Sequence, residues 1–208
     1  MGDGPSPTGT SPWAGSWTKC SPGLSISCSA AGPTRSSPRI GLSYLLLGRR
    51  TYEIFAAHWP FVGSGDPIAE RFNAVTKYVA TSSAQPLAWH NSVALEGDVA
   101  AAIGRLKTEN GPTLLTQGSS VLLQTLLAHD LIDEFRLLVF PVILGSGKRL
   151  FGGGAKPGAL TLTAASVSTS GVSMSVYERA GAISIGSFEL EHPSEPELAR
   201  RERMKREG

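Results

Sequence analysis

The sequence lacks the features that would place the protein in a membrane or on nucleic acid. The longest apolar stretch, residues 137–144, has the length of a strand and falls well short of the roughly 18 apolar residues of a membrane-spanning helix. Residues 1–30 contain no unbroken apolar stretch of the kind that a secretory signal needs. The 19 basic and 17 acidic side chains nearly balance, so charge gives no reason to expect a nucleic-acid partner.

Cysteine and histidine are scarce as well. The chain has 2 cysteines, Cys20 and Cys28, and 4 scattered histidines, and their spacing matches no zinc site. The G-x-S-x-G and H-E-x-x-H catalytic motifs do not occur in the sequence. We therefore expect a cytoplasmic protein with reduced thiols and without a bound metal.

Residue types are distributed unevenly along the chain. Residues 1–42 hold 9 Ser, 7 Gly and 6 Pro, a composition typical of linkers. We expect this low-complexity segment either to be disordered or to come from a wrong reading frame. Out-of-frame translation of GC-rich DNA yields the same residue types. Residues 189–208 form a charged tail, in which Ser194 and Glu197 have the spacing of a capping box for a short exposed helix. The folded domain is therefore expected in residues 43–188.

Residues 43–188 alternate between short apolar runs and helical periodicity. This pattern predicts strands at residues 44–47, 77–80, 92–95, 113–116 and 133–144, and a closing hairpin of residues 160–168 and 171–178. It predicts helices at residues 51–59, 67–75, 99–107 and 121–128, with Asp66 and Asp98 as N-caps. Alternating strands and helices followed by strands alone indicate an α/β fold, with helices flanking a mixed, mostly parallel sheet.

The first of three glycine-containing turns follows the strand at residues 44–47, where ligands of open α/β sheets collect. Gly48 permits a close backbone approach, and Thr51 can cap the next helix while its hydroxyl reaches an anion. Arg49 and Arg50 offer charge-assisted contacts to a phosphate. The alternative is a solvated pair of arginines at a helix start, which the helix dipole slightly disfavours.

Two further turns contain glycine beside polar residues. Gly118, Ser119 and Ser120 can offer backbone N–H groups to a pyrophosphate, the alternative being an ordinary serine N-cap. The third turn resembles a Walker A motif only superficially, because Val142 stands where that motif has its first glycine. Two roles are open for this turn. It is either a tight turn with basic residues at its tip or a contact for a substrate phosphate, and the residues involved are Gly145, Gly147, Lys148 and Arg149.

Several acidic and aromatic residues of the domain have a structural explanation that is better than a catalytic one. Asp133 and Glu134 are adjacent in a predicted strand and point to opposite faces, so they are poorly placed to act as a carboxylate pair. We expect at least one of them to make a structural hydrogen bond. Tyr52, Trp59 and Trp89 are expected to lie in the core or at its rim.

Three stretches of the sequence resemble the dihydrofolate reductase-like family that includes the bacterial RibD C-terminal reductase domain. They are residues 46–59 (LLGRRTYEIFAAHW), the glycine turn at residues 117–119 and residues 133–151 (DEFRLLVFPVILGSGKRLF). The resemblance covers about residues 43–188 and implies a dihydrofolate reductase-like α/β fold. It also implies NADPH-dependent hydride transfer to a pyrimidine- or pterin-like heterocycle. Such reactions are those of dihydrofolate reductase and of 5-amino-6-(5-phosphoribosylamino)uracil reductase in riboflavin biosynthesis.

The resemblance also implies a set of cofactor-binding residues. Residues 48–51 match the helix start that grips the cofactor phosphates, and Thr81, Ser82 and Ser83 match the turn near the adenosine 2′-phosphate. Residues 118–120 match the turn that holds the pyrophosphate. No metal is needed, because the reduced nicotinamide supplies the hydride. Relatives of this family are often homodimers, so the resemblance allows a homodimer that acts on a small heterocyclic substrate.

The sequence departs from the family at its start. Family members open with a buried strand followed by a Ser-Leu-Asp-Gly segment, which contributes an acidic residue to the substrate site. Residues 1–42 show neither, because Ser25, Ile26 and Ser27 alternate only weakly and no Asp-Gly follows them. The first strand is therefore in doubt, and no catalytic residue is assigned. A non-catalytic or vestigial dinucleotide-binding protein is the alternative function.

Overall fold

The computed structural model describes residues 25–28, 43–109, 111–186 and 191–207. Its strands are β1 (Ser25–Cys28), β2 (Ser43–Gly48), β3 (Lys77–Ala80), β4 (Ser92–Leu95), β5 (Thr113–Gln117), β6 (Glu134–Val139), β7 (Leu160–Val167) and β8 (Ser173–Arg179). Its α-helices are α1 (Arg49–Ala56), α2 (Pro67–Ala74), α3 (Val99–Thr108), α4 (Ser120–Ala128) and α5 (Glu195–Glu207), and Trp59–Phe61 forms a 3₁₀ helix. None of the described helices is both long and apolar enough to cross a membrane.

The strands form one sheet in the order β4-β3-β2-β5-β1-β6-β8-β7. β2 pairs in parallel with β3 and β5, and β3 pairs in parallel with β4. β1 is antiparallel to both β5 and β6, and β8 is antiparallel to both β6 and β7. All strands except β1 and β8 therefore run in the same direction, which confirms the expected mixed, mostly parallel sheet.

A strand from the unusual first segment occupies the middle of the sheet. β1 lies between β5 and β6, with Ile26 opposite Thr116 on one side and Phe135 on the other. The weak alternation at residues 25–27 thus corresponds to a short strand that runs against both of its neighbours. The expectations for the rest of residues 1–42, including Cys20, lie outside the described residues.

The two faces of the sheet carry separate apolar clusters. α3 and α4 cover one face, where Leu46 and Leu114 pack with leucines of α4. α1 and α2 cover the other, where Leu45 and Leu47 pack with Tyr52 of α1. Successive strand residues point to opposite faces, so the run Leu45-Leu46-Leu47 supplies both clusters, and all three residues are buried. A strand buried on both faces reads as a continuous apolar run for this reason.

Two helices, α2 and α3, begin at the aspartate N-caps that the sequence predicts. The Asp66 carboxylate accepts hydrogen bonds from the backbone N–H groups of Ile68 and Ala69 at 2.9 and 3.0 Å. The Asp98 carboxylate likewise accepts from two N–H groups in the first turn of α3. Both N-caps are confirmed, because a cap involves only residues two or three positions apart.

The helix predicted at residues 51–59 is wrong at both ends. α1 begins at Arg49, so Thr51 lies inside the first turn and is not the N-cap; Gly48 occupies that position. α1 ends at Ala56, and Pro60 lies in the following 3₁₀ helix. Proline has no N–H to continue an α-helical ladder, so the helix stops before it.

The strand predicted at residues 133–144 is also too long. β6 covers only Glu134–Val139, because its antiparallel partner β8 begins at Ser173, opposite Val139, and offers no pairing beyond it. Pro141 follows, and proline cannot donate to a strand ladder. The apolar residues Val142, Ile143 and Leu144 are exposed in the loop instead of buried in the sheet.

α5 confirms the short helix expected in the charged tail. The backbone oxygen of Ser194 accepts from Glu197 N and Leu198 N at its start. The Glu197 carboxylate accepts from Arg200 Nε at 2.7 Å and from Arg201 Nε at 2.9 Å. These hydrogen bonds, that from Arg200 foremost, lower the pKa of Glu197 to about 2.

A lysine is fully buried beneath α2. Lys77 Nζ donates to the backbone oxygens of Asn73 at 2.8 Å and His90 at 3.2 Å, and it lies 4.3 Å from the centre of the Trp89 ring. Asn73 is in the last turn of α2, where a cation is favoured by the helix dipole. Trp89 N donates to the Tyr52 hydroxyl at 2.9 Å, so both aromatics belong to the core as expected. Burial lowers the pKa of Lys77 to about 8.

We predict that the Lys77→Met variant loses a pH dependence of stability that the native chain shows. The folded chain binds the Lys77 proton less tightly than the unfolded chain, so between pH 8 and the ordinary lysine value of 10.5 unfolding takes up a proton. The free energy of unfolding should therefore rise with pH, by at most about 1.4 kcal/mol per pH unit. Urea unfolding between pH 7 and about pH 9.5 measures this, below the titration of tyrosine. Equal slopes in both proteins would contradict the assignment to Lys77.

Candidate functional site

Four turns emerge at one edge of the sheet, which we call the carboxyl edge. β2, β3 and β5 run in parallel, and Gly48 at the end of β2 pairs with Ala80 at the end of β3. β6 runs in the direction of β5, because both are antiparallel to β1. The carboxyl edge therefore comprises residues 48–51, 81–85, 118–120 and 140–149. All residues predicted to bind cofactor or substrate lie in these four segments.

Two of the predicted turns are joined by reciprocal hydrogen bonds. Gly48 N donates to Ser119 Oγ at 2.9 Å, and Ser119 N donates to Thr51 Oγ1 at 3.2 Å. Ser119 is buried. A β-carbon at Gly48 would lie 3.6 Å from Ser119 Oγ, which is an ordinary van der Waals distance, so this approach does not itself require a glycine. The turns after β2 and β5 thus form one unit.

The backbone at the start of α4 has an uncommon conformation. Gly118 and Ser119 both have positive φ, at 63° and 54°. Ser119 makes no side-chain hydrogen bond to α4, because its hydroxyl oxygen accepts from Gly48 instead. Ser119 therefore occupies the N-cap position of α4 but lacks the side-chain hydrogen bond of an ordinary serine N-cap. The first N–H groups of α4 are not covered by that hydroxyl, and such groups favour an anion.

The basic turn after β6 lies against the same helix start. Lys148 Nζ donates to Ser120 Oγ at 2.9 Å. One helical turn further along, Gln124 Nε2 donates to Leu150 O at 2.9 Å, so two contacts hold this loop to α4. The structure therefore places Lys148 beside the turn predicted to hold a pyrophosphate. Gly145 and Gly147 have φ of 71° and 152°, which confirms a turn that favours glycine.

The two arginines at the start of α1 have different surroundings. Arg49 Nε donates to Glu53 Oε1 at 2.7 Å, and Arg49 Nη1 donates to the backbone oxygen of Gln85 at 2.9 Å. Arg49 therefore links α1 to the loop after β3. Arg50 is exposed to solvent. The two predicted phosphate ligands are thus not equivalent.

The loop after β3 presents hydroxyl groups at the same edge. Thr81 Oγ1 accepts from Ser83 N at 3.0 Å, and Ser83 Oγ accepts from Gln85 N at 3.2 Å. These two successive turns use the lone pairs of the hydroxyls and leave their protons available for donation. Ser82 is exposed.

The acidic pair at the start of β6 does not act as a unit. Lys107 Nζ forms an ion pair with Asp133 at 2.7 Å, whereas Glu134 pairs with Arg136 Nε at 2.6 Å. Both roles are structural, as expected. Among the described residues, no group of three His, Cys, Asp or Glu side chains could hold a metal ion.

A cleft of about 290 Å³ lies away from the predicted residues, beside the edge strand β4. Its lining comes from the end of β4 and the second half of α3, and includes Glu96, Arg105 and Glu109. None of the predicted cofactor or substrate residues contributes to it.

Three residues that contact segments of the carboxyl edge or lie in it were not predicted from the sequence. Glu53 follows Arg49 by four positions, a spacing that favours an ion pair on a helix and could have identified it. Gln85 and Gln124 carry no comparable signal, because each contacts a segment more than twenty residues away.

Comparison with known proteins identifies a family and several relatives. A family model described as the RibD C-terminal domain matches residues 26–176. The chain is 27% identical over 110 residues to the uncharacterized protein YyaP and 33% identical over 107 residues to the uncharacterized protein YwjB, both from Bacillus subtilis (strain 168). Each match covers 51% of this chain, and 58% and 57% of the two relatives respectively.

A solved structure shares the fold. The crystal structure of a protein from Shewanella sp. PV-4, described as a "putative riboflavin biosynthesis protein", matches with a TM-score of 0.54 at 22% identity. The match covers 67% of this chain and 75% of the other. The mixed sheet flanked by helices is therefore the dihydrofolate reductase-like arrangement that the sequence resemblance implies.

We predict that Ser119→Ala destabilises the fold by about 1–2 kcal/mol, because it removes the acceptor of Gly48 N and leaves that half-buried donor unpaired. Ser82→Ala is the matched control, since Ser82 lies at the same edge and is exposed. Chemical denaturation of both variants measures the difference. A loss no larger for Ser119→Ala than for Ser82→Ala would contradict a stabilising link between the two turns.

Proposed function

Because the chain belongs to the RibD C-terminal domain family, we propose that it is a reductase that uses NADPH to transfer a hydride to a pyrimidine- or pterin-like heterocycle. The observation that carries the proposal is the union of the two predicted phosphate-binding turns through Gly48 and Ser119. Because β2 pairs with β5, the two turns are neighbours, and a single ligand can span both of them.

The groups at the carboxyl edge fit a phosphorylated dinucleotide. Backbone N–H groups at the start of α4 favour an anion, and Lys148 brings a positive charge to the same place. Arg50 adds an exposed positive charge at the start of α1. Cations are disfavoured at the N-terminus of a helix unless an anion accompanies them, so the charge distribution supports a phosphate ligand.

Each segment of the carboxyl edge then has a role in holding the cofactor. Residues 118–120 and Lys148 would hold the pyrophosphate. Arg49, Arg50 and the loop at residues 81–83 would hold the 2′-phosphate. When bound, the reduced nicotinamide supplies the hydride, and the protein contributes position and electrostatic stabilisation.

The proposed substrate class follows from the family. The Shewanella protein is described by a role in riboflavin biosynthesis, which supports a ribosylaminopyrimidine as substrate. A pterin is the second heterocycle that a dihydrofolate reductase-like fold suggests. Gly145, Gly147 and Arg149 lie in the loop after β6 at the carboxyl edge, and they remain the proposed contacts for a substrate phosphate. Lys148, predicted with them, is proposed for the pyrophosphate instead, because it donates to Ser120 Oγ.

A second candidate function is NADPH binding without turnover. The observation that favours it is that residues 4–42 contain no Asp or Glu, although the family resemblance places an acidic substrate residue in the first segment. Residues at the carboxyl edge that would hold the cofactor come later in the chain and are unaffected. Cofactor binding and turnover are therefore separate questions for this protein.

The first test measures cofactor binding and turnover together. NADPH at tenfold excess over its dissociation constant should stabilise the fold by about 1.4 kcal/mol, seen as a rise in melting temperature. Oxidation of NADPH is then followed with ribosylaminopyrimidine and pterin substrates. Stabilisation with oxidation supports the reductase, and stabilisation alone supports the binding protein. No stabilisation at tens of micromolar NADPH would contradict both.

A second test concerns the exposed arginine. Arg50→Ala should weaken NADPH binding on the order of tenfold, because it removes one charge-assisted contact to the 2′-phosphate. NADH lacks that phosphate, so its affinity should change by less than about twofold. Arg105→Ala is the control, because Arg105 is exposed at the end of α3, away from the carboxyl edge. Equal weakening of both cofactors by Arg50→Ala would contradict the role.

A further inference from the structure

One guanidinium joins two segments of the carboxyl edge. Arg49 Nε donates to Glu53 Oε1 at 2.7 Å. Arg49 Nη1 donates to the backbone oxygen of Gln85 at 2.9 Å, and Nη2 donates to Gln85 Oε1 at 3.3 Å. An arginine side chain has five N–H groups in a planar fork, so each Nη retains one N–H for another acceptor.

These contacts orient Arg49 more than they stabilise the fold. The Glu53 side chain is 54% exposed and Gln85 is exposed, and exposed ion pairs contribute little to stability. The Arg49 side chain itself is only 19% exposed. A long side chain that is already ordered loses less conformational entropy when a ligand binds it.

Through Gln85, these contacts connect the guanidinium to the segment that carries the hydroxyl groups of Thr81 and Ser83. Gln85, which accepts twice from Arg49, also donates its backbone N–H to Ser83 Oγ. Ser83 N in turn donates to Thr81 Oγ1. Arg49 and the hydroxyls of Thr81 and Ser83 are thus connected by one series of hydrogen bonds that passes through Gln85. A planar guanidinium beside hydroxyl donors suits the several oxygens of a phosphate monoester.

On the basis of the proposed function, we propose that Glu53 and Gln85 are positioning residues that hold the Arg49 guanidinium for the 2′-phosphate of the cofactor. Selectivity for NADPH over NADH then depends on two side chains that do not themselves contact the phosphate. Glu53 fixes the guanidinium at Nε, and Gln85 fixes it at both Nη atoms and ties it to the loop after β3.

Glu53 has two conceivable effects on the phosphate, positioning of Arg49 and electrostatic repulsion, and substitutions separate them. Its carboxylate neutralises Arg49 and would repel a phosphate, so its removal would then strengthen NADPH binding. Glu53→Gln keeps an oxygen that accepts from Arg49 Nε and removes the charge. Glu53→Ala removes both the oxygen and the charge. A positioning role predicts that these two variants differ, with the glutamine variant close to the native chain.

The experiment measures dissociation constants of NADPH and NADH by calorimetry for the native chain and for Glu53→Ala, Glu53→Gln and Gln85→Ala. Glu53→Ala should weaken NADPH binding on the order of tenfold and Gln85→Ala by about threefold, because Gln85→Ala keeps the backbone acceptor. NADH affinity should change by less than about twofold, and Glu53→Gln should retain most of the preference for NADPH. Glu109→Ala, at the exposed end of α3, is the matched control.

Several results would overturn the proposal. Equal weakening of NADPH and NADH binding would show that Glu53 and Gln85 have a merely structural role. Tighter NADPH binding by Glu53→Gln would show that the Glu53 carboxylate repels the phosphate. An unchanged preference in Glu53→Ala and Gln85→Ala would show that Arg49 needs no positioning, while leaving the reductase proposal intact. A native chain that binds neither cofactor would overturn the proposed function and this inference together, so the two failures are distinguishable.

Discussion

The parallel pairing of β2 with β5 is the constraint on which the carboxyl edge depends. Because these strands run in the same direction, their turns emerge side by side, close enough for Gly48 N to donate to Ser119 Oγ and for Ser119 N to donate to Thr51 Oγ1. Apolar clusters on both faces hold the strands in this register. A shift of one residue would turn the buried side chains to the wrong faces and separate the two turns.

Positive charge at the carboxyl edge comes from segments far apart in the chain. Arg49 and Arg50 begin α1, and Lys148 arrives from the loop after β6 because that strand runs in the direction of β5. Arg49 is largely occupied by protein acceptors, whereas Arg50 is exposed. The edge thus combines one ordered arginine with a more accessible one.

The sequence predicted most elements, and its errors have a common cause. The caps at Asp66 and Asp98 were correct because each involves residues two or three positions apart. The strand predicted at residues 133–144 is too long because the length of a strand is set by its partner, and β8 begins opposite Val139. The local sequence allows Ser119 to cap α4 with its side chain, but its hydroxyl accepts from Gly48 N in another turn.

By itself, the sequence determined most of the helices and strands, the glycine turns and the family, since all of these follow from local spacing or from contiguous motifs. Only the tertiary structure decided which turns meet, that Lys148 lies beside Ser120, and that Gln85 holds Arg49. The reason is physical. A hydrogen bond between distant segments requires a particular strand order and register, and these are set by the packing of the whole sheet.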